Sequence, residues 1–146
     1  MQYTLLPTPR ATDGTKGCPG QRGSRGDLTL PSTAVRLDPT PQADSPAGAG
    51  GPDEDRWGRF AAAVARWEHL IGRPAPPPSQ PGRHGTPVLA PPFVEWLMGL
   101  PDQWVTHPDL RIPRTRALRV LGNGVVPQHA IAALCQLLNP SRWPRT

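Results

Sequence analysis

Leu121-Gly-Asn-Gly-Val-Val-Pro127 separates two segments of the C-terminal half that have the apolar spacing of helices. The apolar spacing of residues 114–121 predicts a helix that ends at a glycine. Pro127 suits the first turn of a following helix, where its missing N–H costs no hydrogen bond. Gly122 and Gly124 are typical of positions where φ is positive or where a ligand approaches the backbone closely. A plain connection between two helices would use the same residues, so the pattern alone leaves both interpretations open.

A compact helical unit is predicted around this corner, over residues 88–140. It contains a short helix over 92–98, the helix over 114–121 and a third helix over 127–138. The side chains that these segments are expected to place in the core or on one apolar face are Phe93, Trp96, Leu97, Trp104, Ile131, Leu134, Cys135 and Leu138. His129, in the first turn of the third helix, is expected to be an exposed surface residue.

Residues 53–72 form the clearest predicted helix, and a proline-rich segment follows it. Asp53 is a suitable N-cap, and Gly72 followed by Pro74 is a typical helix end. The apolar stripe of this amphipathic helix, at spacings of three and four, consists of Trp57, Phe60, Val64, Trp67 and Ile71. The segment over 73–87 is predicted to be a proline-rich linker, with stiff polyproline II at its three consecutive prolines, Pro76 to Pro78.

Residues 1–52 are predicted to be an extended or disordered arm, and residues 141–146 a tail. The chain has 22 prolines and 15 glycines among its 146 residues, which is typical of low-complexity segments. The arm repeats one phrase, as Leu5-x-Pro-Thr-Pro-x-Ala11 and Leu37-x-Pro-Thr-Pro-x-Ala43, in which proline favours extended backbone. The predicted fold class is therefore mainly α, with long irregular segments rich in proline and glycine and a small helical C-terminal unit.

The charge balance of the chain favours an anionic partner such as DNA. The formal net charge is +5, and the arginines between residues 111 and 119 have one nearby carboxylate in the sequence, Asp109. In the arm, Arg22 and Arg25 lie among glycines, where side chains and backbone N–H groups can contact phosphates together. We expect DNA contacts from these two arginines and from Arg114 and Arg116, although a solvated helix face would carry the same residues.

Two stretches of the C-terminal unit together resemble the end of DNA cytosine-5 methyltransferases, particularly those of bacteriophages and actinobacteria. The tenth motif block of that family reads Gly-Asn-(small)-Val-x-Pro, and the residues from Gly122 to Pro127 match it. The ninth block has Gly-Phe-Pro-Asp where this chain has Gly99-Leu-Pro-Asp102, and the order and spacing of the two blocks match. The phrase Leu6-Pro-Thr-Pro-x-Ala-x-Asp-Gly14 also resembles a segment ahead of the ninth block, in a neighbourhood that contributes to target recognition in the family.

The resemblance implies a cofactor, a partner and a limit on activity. In the family the tenth-block corner lines the S-adenosylmethionine pocket, which implies that Asn123, Gly124 and Val125 contact this cofactor. The family's catalytic thiolate comes from a Pro-Cys-Gln loop and its acid from a Glu-Asn-Val block, and neither occurs in this sequence. Methyl transfer by the chain alone is not expected without a thiolate to attack C6 of cytosine. We expect S-adenosylmethionine to bind only with a separate catalytic methyltransferase chain, and DNA to be the other partner.

The two cysteines and the N-terminus bear on metal binding, disulfide formation and cellular location. Cys18 lies in a glycine-rich segment, and Cys135 is expected to be a small buried hydrophobe, so neither predicts a zinc site or a disulfide framework. The N-terminus lacks the basic start and long apolar run of a signal peptide, and no stretch is long enough to span a bilayer. The expected location is the cytoplasm, with no membrane partner.

Three functions are compatible with these observations. The chain is the C-terminal fragment or subunit of a DNA cytosine-5 methyltransferase, a basic DNA-binding accessory protein without chemistry, or a remnant without independent function. A neighbouring reading frame that carries Pro-Cys-Gln and Glu-Asn-Val would favour the first. Salt-sensitive DNA binding by the isolated chain would favour the second.

Overall fold

The computed structural model describes residues 5–15, 20–23, 26–37 and 56–138, and within these ranges the protein is mainly helical. The helices, in chain order, are α1 (Leu30–Leu37), α2 (Ala61–Ile71), α3 (Pro91–Leu97), α4 (Arg114–Asn123) and α5 (Pro127–Leu137). The described elements also include the 3₁₀ turns Ala11–Gly14 (the N-terminal turn), Gly58–Phe60 and Pro108–Leu110, and the strands β1 (Ser79–Pro81) and β2 (Pro87–Leu89). The prediction that the fold class is mainly helical is therefore confirmed.

An aromatic stack forms the centre of the core. The rings of Trp57 and Phe93 lie 5.9 Å apart between centroids, and those of Phe93 and Trp96 lie 5.7 Å apart, in nearly parallel planes. All three side chains are at most 2% exposed, and Val64 of α2 is buried beside them. Stacked aromatic pairs stabilise a core beyond the burial of their area alone. The predicted stripe of residues 53–72 and the predicted burial of Phe93 and Trp96 are confirmed.

The helix predicted over 53–72 begins with an irregular turn. Gly58 has φ 49, and the 3₁₀ turn that starts there precedes α2. Gly72, at φ 66, ends α2 in the left-handed conformation, as a glycine after a helix is expected to do. The proposed N-cap, Asp53, lies outside the described residues.

Residues 73–87, predicted to be a proline-rich linker, instead contribute Ala75 to the core and form part of a hairpin. β1 and β2 pair antiparallel, with Ser79 opposite Leu89. The N–H of Gly85, a residue at φ 76, donates to the carbonyl of Gly82 at 3.1 Å and closes the turn between the strands. Prolines occupy the paired positions nearest this turn, where a missing N–H is tolerated. They hide the strand pattern in the sequence, and for this reason the linker prediction is wrong.

The described part of the predicted N-terminal arm contains helical structure that belongs to the core. Leu30 and Ala34 of α1 are at most 1% exposed. Pro31 is the second residue of this helix, a position where its missing N–H has no helical partner to lose. The prediction of an extended arm is wrong here, because short helices with a proline in the first turn carry little periodic signal. The rest of residues 1–52 and the tail over 141–146 lie outside the described residues.

The loop after α3 is fixed by a buried carboxylate. Glu95 is 1% exposed, and its Oε1 accepts hydrogen bonds from the N–H groups of Val105 and Thr106. Its Oε2 accepts a hydrogen bond from the Thr106 hydroxyl at 2.8 Å. These bonds draw Val105 into the core, while Gln103, at φ 57, turns the chain so that Trp104 is 65% exposed. The prediction that Trp104 is a core residue is therefore wrong.

Helix α5 is attached through its first turn and leaves its apolar face uncovered by the described chain. Val126 is partly buried, and the Gln128 amide donates to the carbonyl of Gly99 at 3.4 Å. The side chains predicted to form a packed face are exposed: Ile131 by 59%, Leu134 by 54% and Leu138 by 75%, together with Cys135. The predictions of a packed α5 and of a buried cysteine at 135 are wrong, since amphipathic spacing reveals a face but not what covers it.

Candidate functional site

The corner between α4 and α5 is an extended connection rather than a left-handed turn. α4 continues through Asn123, so Gly122 is a helical residue, and Gly124 follows the helix at φ −72 and ψ 159. The N–H of Gly124 donates to the carbonyl of Leu121 at 3.1 Å, and α5 begins at Pro127 as predicted. We expected Gly122 and Gly124 to adopt a positive φ or to allow a close approach, and neither glycine has a positive φ. The reason is that the helix runs two residues further than predicted.

The other expectation was that a ligand approaches the backbone of these glycines closely, but the group that lies closest to Gly122 belongs to the chain itself. A Cβ at Gly122 would overlap the carbonyl group of Arg10 and the nitrogen of Ala11. Near the start of α4, a Cβ at Gly14 would lie 2.9 Å from the carbonyl oxygen of Thr115. The N-terminal turn therefore lies directly against α4, and two glycines make that contact possible. In this way the phrase ending at Gly14 and the tenth-block stretch meet in space.

The three residues expected to contact S-adenosylmethionine, Asn123, Gly124 and Val125 (the corner residues), lie on the surface. Val125 is 67% exposed. Asn123 is exposed, and within the described part of the chain its amide forms no hydrogen bond. A Cβ at Gly124 would lie 3.1 Å from Cε of Met98, which shows that the corner packs against the end of α3. The corner residues are thus adjacent and accessible to a ligand or to another chain.

An apolar groove of about 700 Å³ opens beside the corner. Its walls include residues 5–9, Trp67 of α2 and Trp96 of α3, and Val126 and His129 line the end nearest α5. The indole N–H groups of both tryptophans donate to backbone carbonyls, at 3.0 and 3.2 Å, so the groove meets mainly the apolar parts of the rings. His129 is exposed, as predicted. The corner residues themselves border this groove without lining it.

Asp13 is a buried carboxylate in the N-terminal turn. Its side chain is 4% exposed, and Oδ2 accepts a hydrogen bond from the N–H of Arg10 at 2.8 Å. Burial raises the pKa of Asp13 above its ordinary value, while this hydrogen bond and the positive charge of Arg10 oppose the rise. The carboxylate stabilises the conformation in which the N-terminal turn packs against α4.

We expect Asp13→Asn to change how stability depends on pH. Because the folded pKa of Asp13 lies above its unfolded value near 3.8, this group favours the folded state most below that pH. Its contribution is then lost as pH rises through the folded value. The free energy of unfolding of the wild-type protein, relative to the variant, should therefore fall with rising pH across this acidic window and then level off. Urea unfolding of both proteins from about pH 3 to about pH 7 measures this difference in free energy. The same pH dependence in both proteins would contradict the expectation.

Arg114 connects three parts of the fold. Its Nε donates to the carbonyl of Leu89 in β2 at 3.0 Å, and its Nη1 donates to the carbonyl of Gly14 at 3.4 Å. The side chain is half-buried, and burial lowers the pKa of its guanidinium below the ordinary value. Its expected DNA contact stays a prediction, but two of its N–H groups donate hydrogen bonds within the protein. Arg116, the other α4 arginine of the predicted DNA set, is exposed.

We expect Arg114→Ala to lower the free energy of unfolding by about 2 kcal/mol, because two partly buried hydrogen bonds lose their charged donor. Arg116→Ala is the matched control on the same helix, and its effect should stay within about 0.5 kcal/mol. Urea unfolding of both variants measures the difference. Equal effects of the two substitutions would contradict the structural role of Arg114.

A group of arginines that the sequence pattern did not reveal surrounds a second depression. Two adjoining cavities, of about 720 and 490 Å³, share Asp27, Phe60 and Arg59 among their lining residues. The arginines that line these cavities (together, the arginine groove) are Arg10, Arg22, Arg36 and Arg59. Arg22 was predicted to bind phosphate, and its expected neighbour Arg25 lies outside the described residues. The other three lie far apart in the sequence, so no local pattern marks them.

Among the described residues, no group of three or more histidine, cysteine or acidic side chains is placed to hold a metal ion. In the same part of the chain, no helix is both long and apolar enough to cross a membrane. Cys135 is exposed on α5, and Cys18 lies outside the described residues.

Comparison with known proteins adds no relative to this picture. No protein-family model matches the chain, and neither a search of curated proteins nor one of solved structures finds a match.

Proposed function

We propose that this chain is the C-terminal portion of a DNA cytosine-5 methyltransferase, acting as a fragment of one or as a subunit beside a separate catalytic chain. In this role the corner residues contact S-adenosylmethionine, and basic side chains contact DNA. The thiolate and the acid come from the partner. The chain alone transfers no methyl group.

The observation that carries this proposal is the uncovered apolar surface directly beyond the corner. Ile131 and Leu134 of α5 and its C-cap residue Leu138 recur at spacings of three and four, and each is more than half exposed. Covering one such side chain fully is worth about 1.5–3 kcal/mol, so a face of this kind favours association with another apolar surface. A partner that covers α5 would also lie next to the corner residues. This arrangement is what a cofactor pocket shared between two polypeptides requires.

The contact between the N-terminal turn and α4 gives further support. Of the three stretches that resemble the family, the N-terminal phrase and the tenth block lie far apart in the sequence, and Gly122 and Gly14 both lie where the N-terminal turn touches α4. A likeness confined to one short motif would not explain why glycine stands at both places. The proposal therefore treats the described chain as one unit that includes its N-terminal phrase.

The experiment is a methyl-transfer assay with purified proteins. The partner to test is the product of a neighbouring reading frame that carries Pro-Cys-Gln and Glu-Asn-Val. We expect labelled methyl groups to pass from S-adenosylmethionine to DNA only when both chains are present. Transfer by this chain alone, or full transfer by the partner alone, would contradict the proposal.

A surface variant makes the same assay test the docking face. Ile131→Asp combined with Leu134→Asp should abolish activity of the mixture, because two charges would be buried in the interface. Gln136→Ala, an exposed change on the same helix, is the control and should leave the activity unchanged. Since both side chains replaced by aspartate are exposed in the chain alone, thermal melts of the isolated variant should match the wild-type protein.

The alternative function, a DNA-binding accessory protein without chemistry, is favoured by one observation, the arginine groove. Its four arginines line adjoining cavities independently of the corner and of α5. Under this alternative the chain binds DNA with strong salt dependence, and no catalytic chain associates with α5. Pull-down of the Pro-Cys-Gln chain by the wild-type protein but not by the double aspartate variant would exclude it.

A further inference from the structure

The arginine groove carries an excess of positive charge that the described chain does not neutralise. Its four arginines are all exposed, and Asp27 is the acidic residue among its lining side chains. Among the described residues, none of the four guanidinium groups lies within 4.0 Å of a carboxylate oxygen. Arg22 donates from Nη1 to the carbonyl of Gly26 at 2.7 Å, which fixes its direction and leaves its other donors open.

The shape of the groove suits a polymer of repeated negative charge better than a single ion. The two cavities adjoin at Phe60 and Asp27, so the arginines are distributed along a continuous depression. The guanidinium of Arg59 lies 4.9 Å from the centroid of the Phe60 ring, and this stacking limits its rotamers. At this point of the groove, positive charge therefore lies directly beside an apolar ring.

We propose that the arginine groove binds the phosphodiester backbone of a nucleic acid. Guanidinium groups pair with phosphate oxygens through two parallel hydrogen bonds, and neutralising several phosphates releases counterions. The inference deepens the proposed function and rests on it for DNA as the natural partner. It places the contact on Arg10, Arg36 and Arg59 beside Arg22, rather than on the exposed arginines of α4.

The test is binding of the full chain to a fluorescently labelled DNA duplex, followed by anisotropy at several salt concentrations. Arg36→Gln combined with Arg59→Gln should weaken binding roughly tenfold and flatten the slope of log affinity against log salt by about 2. Arg83→Gln combined with Arg119→Gln, which removes the same charge from exposed positions outside the groove, is the matched control and should leave both quantities nearly unchanged. Equal losses for the two pairs, or no measurable binding by the wild-type protein at low salt, would overturn the proposal.

A second double variant separates the effect of positive charge on binding from the effect of the guanidinium group. Arg36→Lys combined with Arg59→Lys keeps the charge, so it should keep the salt slope even where affinity drops. Thermal melts of each variant establish that it folds. A lysine pair that loses the slope as fully as the glutamine pair, with an unchanged melting temperature, would count against phosphate neutralisation in this groove.

Competition with unlabelled polymers distinguishes the sources of the anion. Single-stranded DNA and duplex RNA share the phosphodiester backbone, and both should displace the labelled duplex. Polyglutamate should displace it poorly, and displacement by polyglutamate equal to that by DNA would overturn the proposal in favour of an acidic protein partner. These measurements need no methyl transfer and no catalytic chain. DNA binding by the groove can therefore be observed even if the proposed function fails, and its absence can be observed even if the proposed function is correct.

Discussion

Replacement of Gly122 by alanine is expected to lower the free energy of unfolding by about 3 kcal/mol or more, although the change adds one methyl group to a helix. In most helices this substitution is favourable, because alanine has the higher helix propensity. Here the new Cβ would overlap the carbonyl of Arg10 and the nitrogen of Ala11. These are backbone atoms that no side-chain rotation can move, so the N-terminal turn has to leave α4.

Gly124→Ala is the matched control two residues away. Gly124 has φ −72, a conformation that alanine adopts without strain. Its new Cβ would lie 3.1 Å from the flexible tip of Met98 and 3.2 Å from the carbonyl oxygen of Leu121, which are tight contacts rather than overlaps. Its effect should stay within about 1 kcal/mol. Urea unfolding and thermal melts of both variants measure the contrast. If Gly122→Ala unfolds at the same urea concentration as the wild-type protein, the close contact between the two ends of the chain is contradicted.

Replacement of Glu95 by alanine should be similarly damaging, with a loss of about 3 kcal/mol. The carboxylate accepts three hydrogen bonds from Val105 and Thr106, and it is buried, so water cannot replace it. Alanine would leave these donors unpaired and would also open a cavity beneath the loop. The loop should detach from α3, which moves Val105 out of the core.

Glu95→Gln separates hydrogen bonding from side-chain volume. Glutamine keeps the shape and one oxygen acceptor for the two N–H groups, and its amide can donate to the Thr106 hydroxyl. We expect it to cost about 1 kcal/mol, clearly less than alanine. Urea unfolding followed by tryptophan fluorescence measures both. A glutamine variant as unstable as the alanine variant would mean that the negative charge, rather than the hydrogen bonds, holds the loop.

The sequence predicts best the elements whose ends carry local signals. α3 begins with Pro91 and is followed by Gly99 at φ 67, and α5 begins at Pro127. Proline in a first turn and glycine after a last turn act through the backbone of a few neighbouring residues, so they can be recognised without knowing the fold. The stripe of α2 is predictable for the same reason, because its spacing is local.

The features that the sequence does not reveal depend on residues distant in the chain. The role of Gly122 requires Arg10 and Ala11, which lie at the opposite end. The exposure of Trp104 depends on which backbone groups Glu95 binds, and an apolar ring gives no sign of that choice. The uncovered face of α5 has the same spacing as a packed face. For the candidate site, the corner could be located from its motif, whereas the arginine groove could be found only from the fold.

The proposed role of the corner is tested most directly by S-adenosylmethionine affinity in the complex with the Pro-Cys-Gln chain, measured by calorimetric titration. Asn123→Ala is the decisive variant, because its exposed amide forms no hydrogen bond within the described chain and should not affect folding. We predict a roughly threefold to tenfold loss of affinity, the loss of one hydrogen bond, with an unchanged melting temperature. Gln136→Ala should change neither quantity. Wild-type affinity in the Asn123→Ala complex would contradict the account and leave the corner as a connection between two helices.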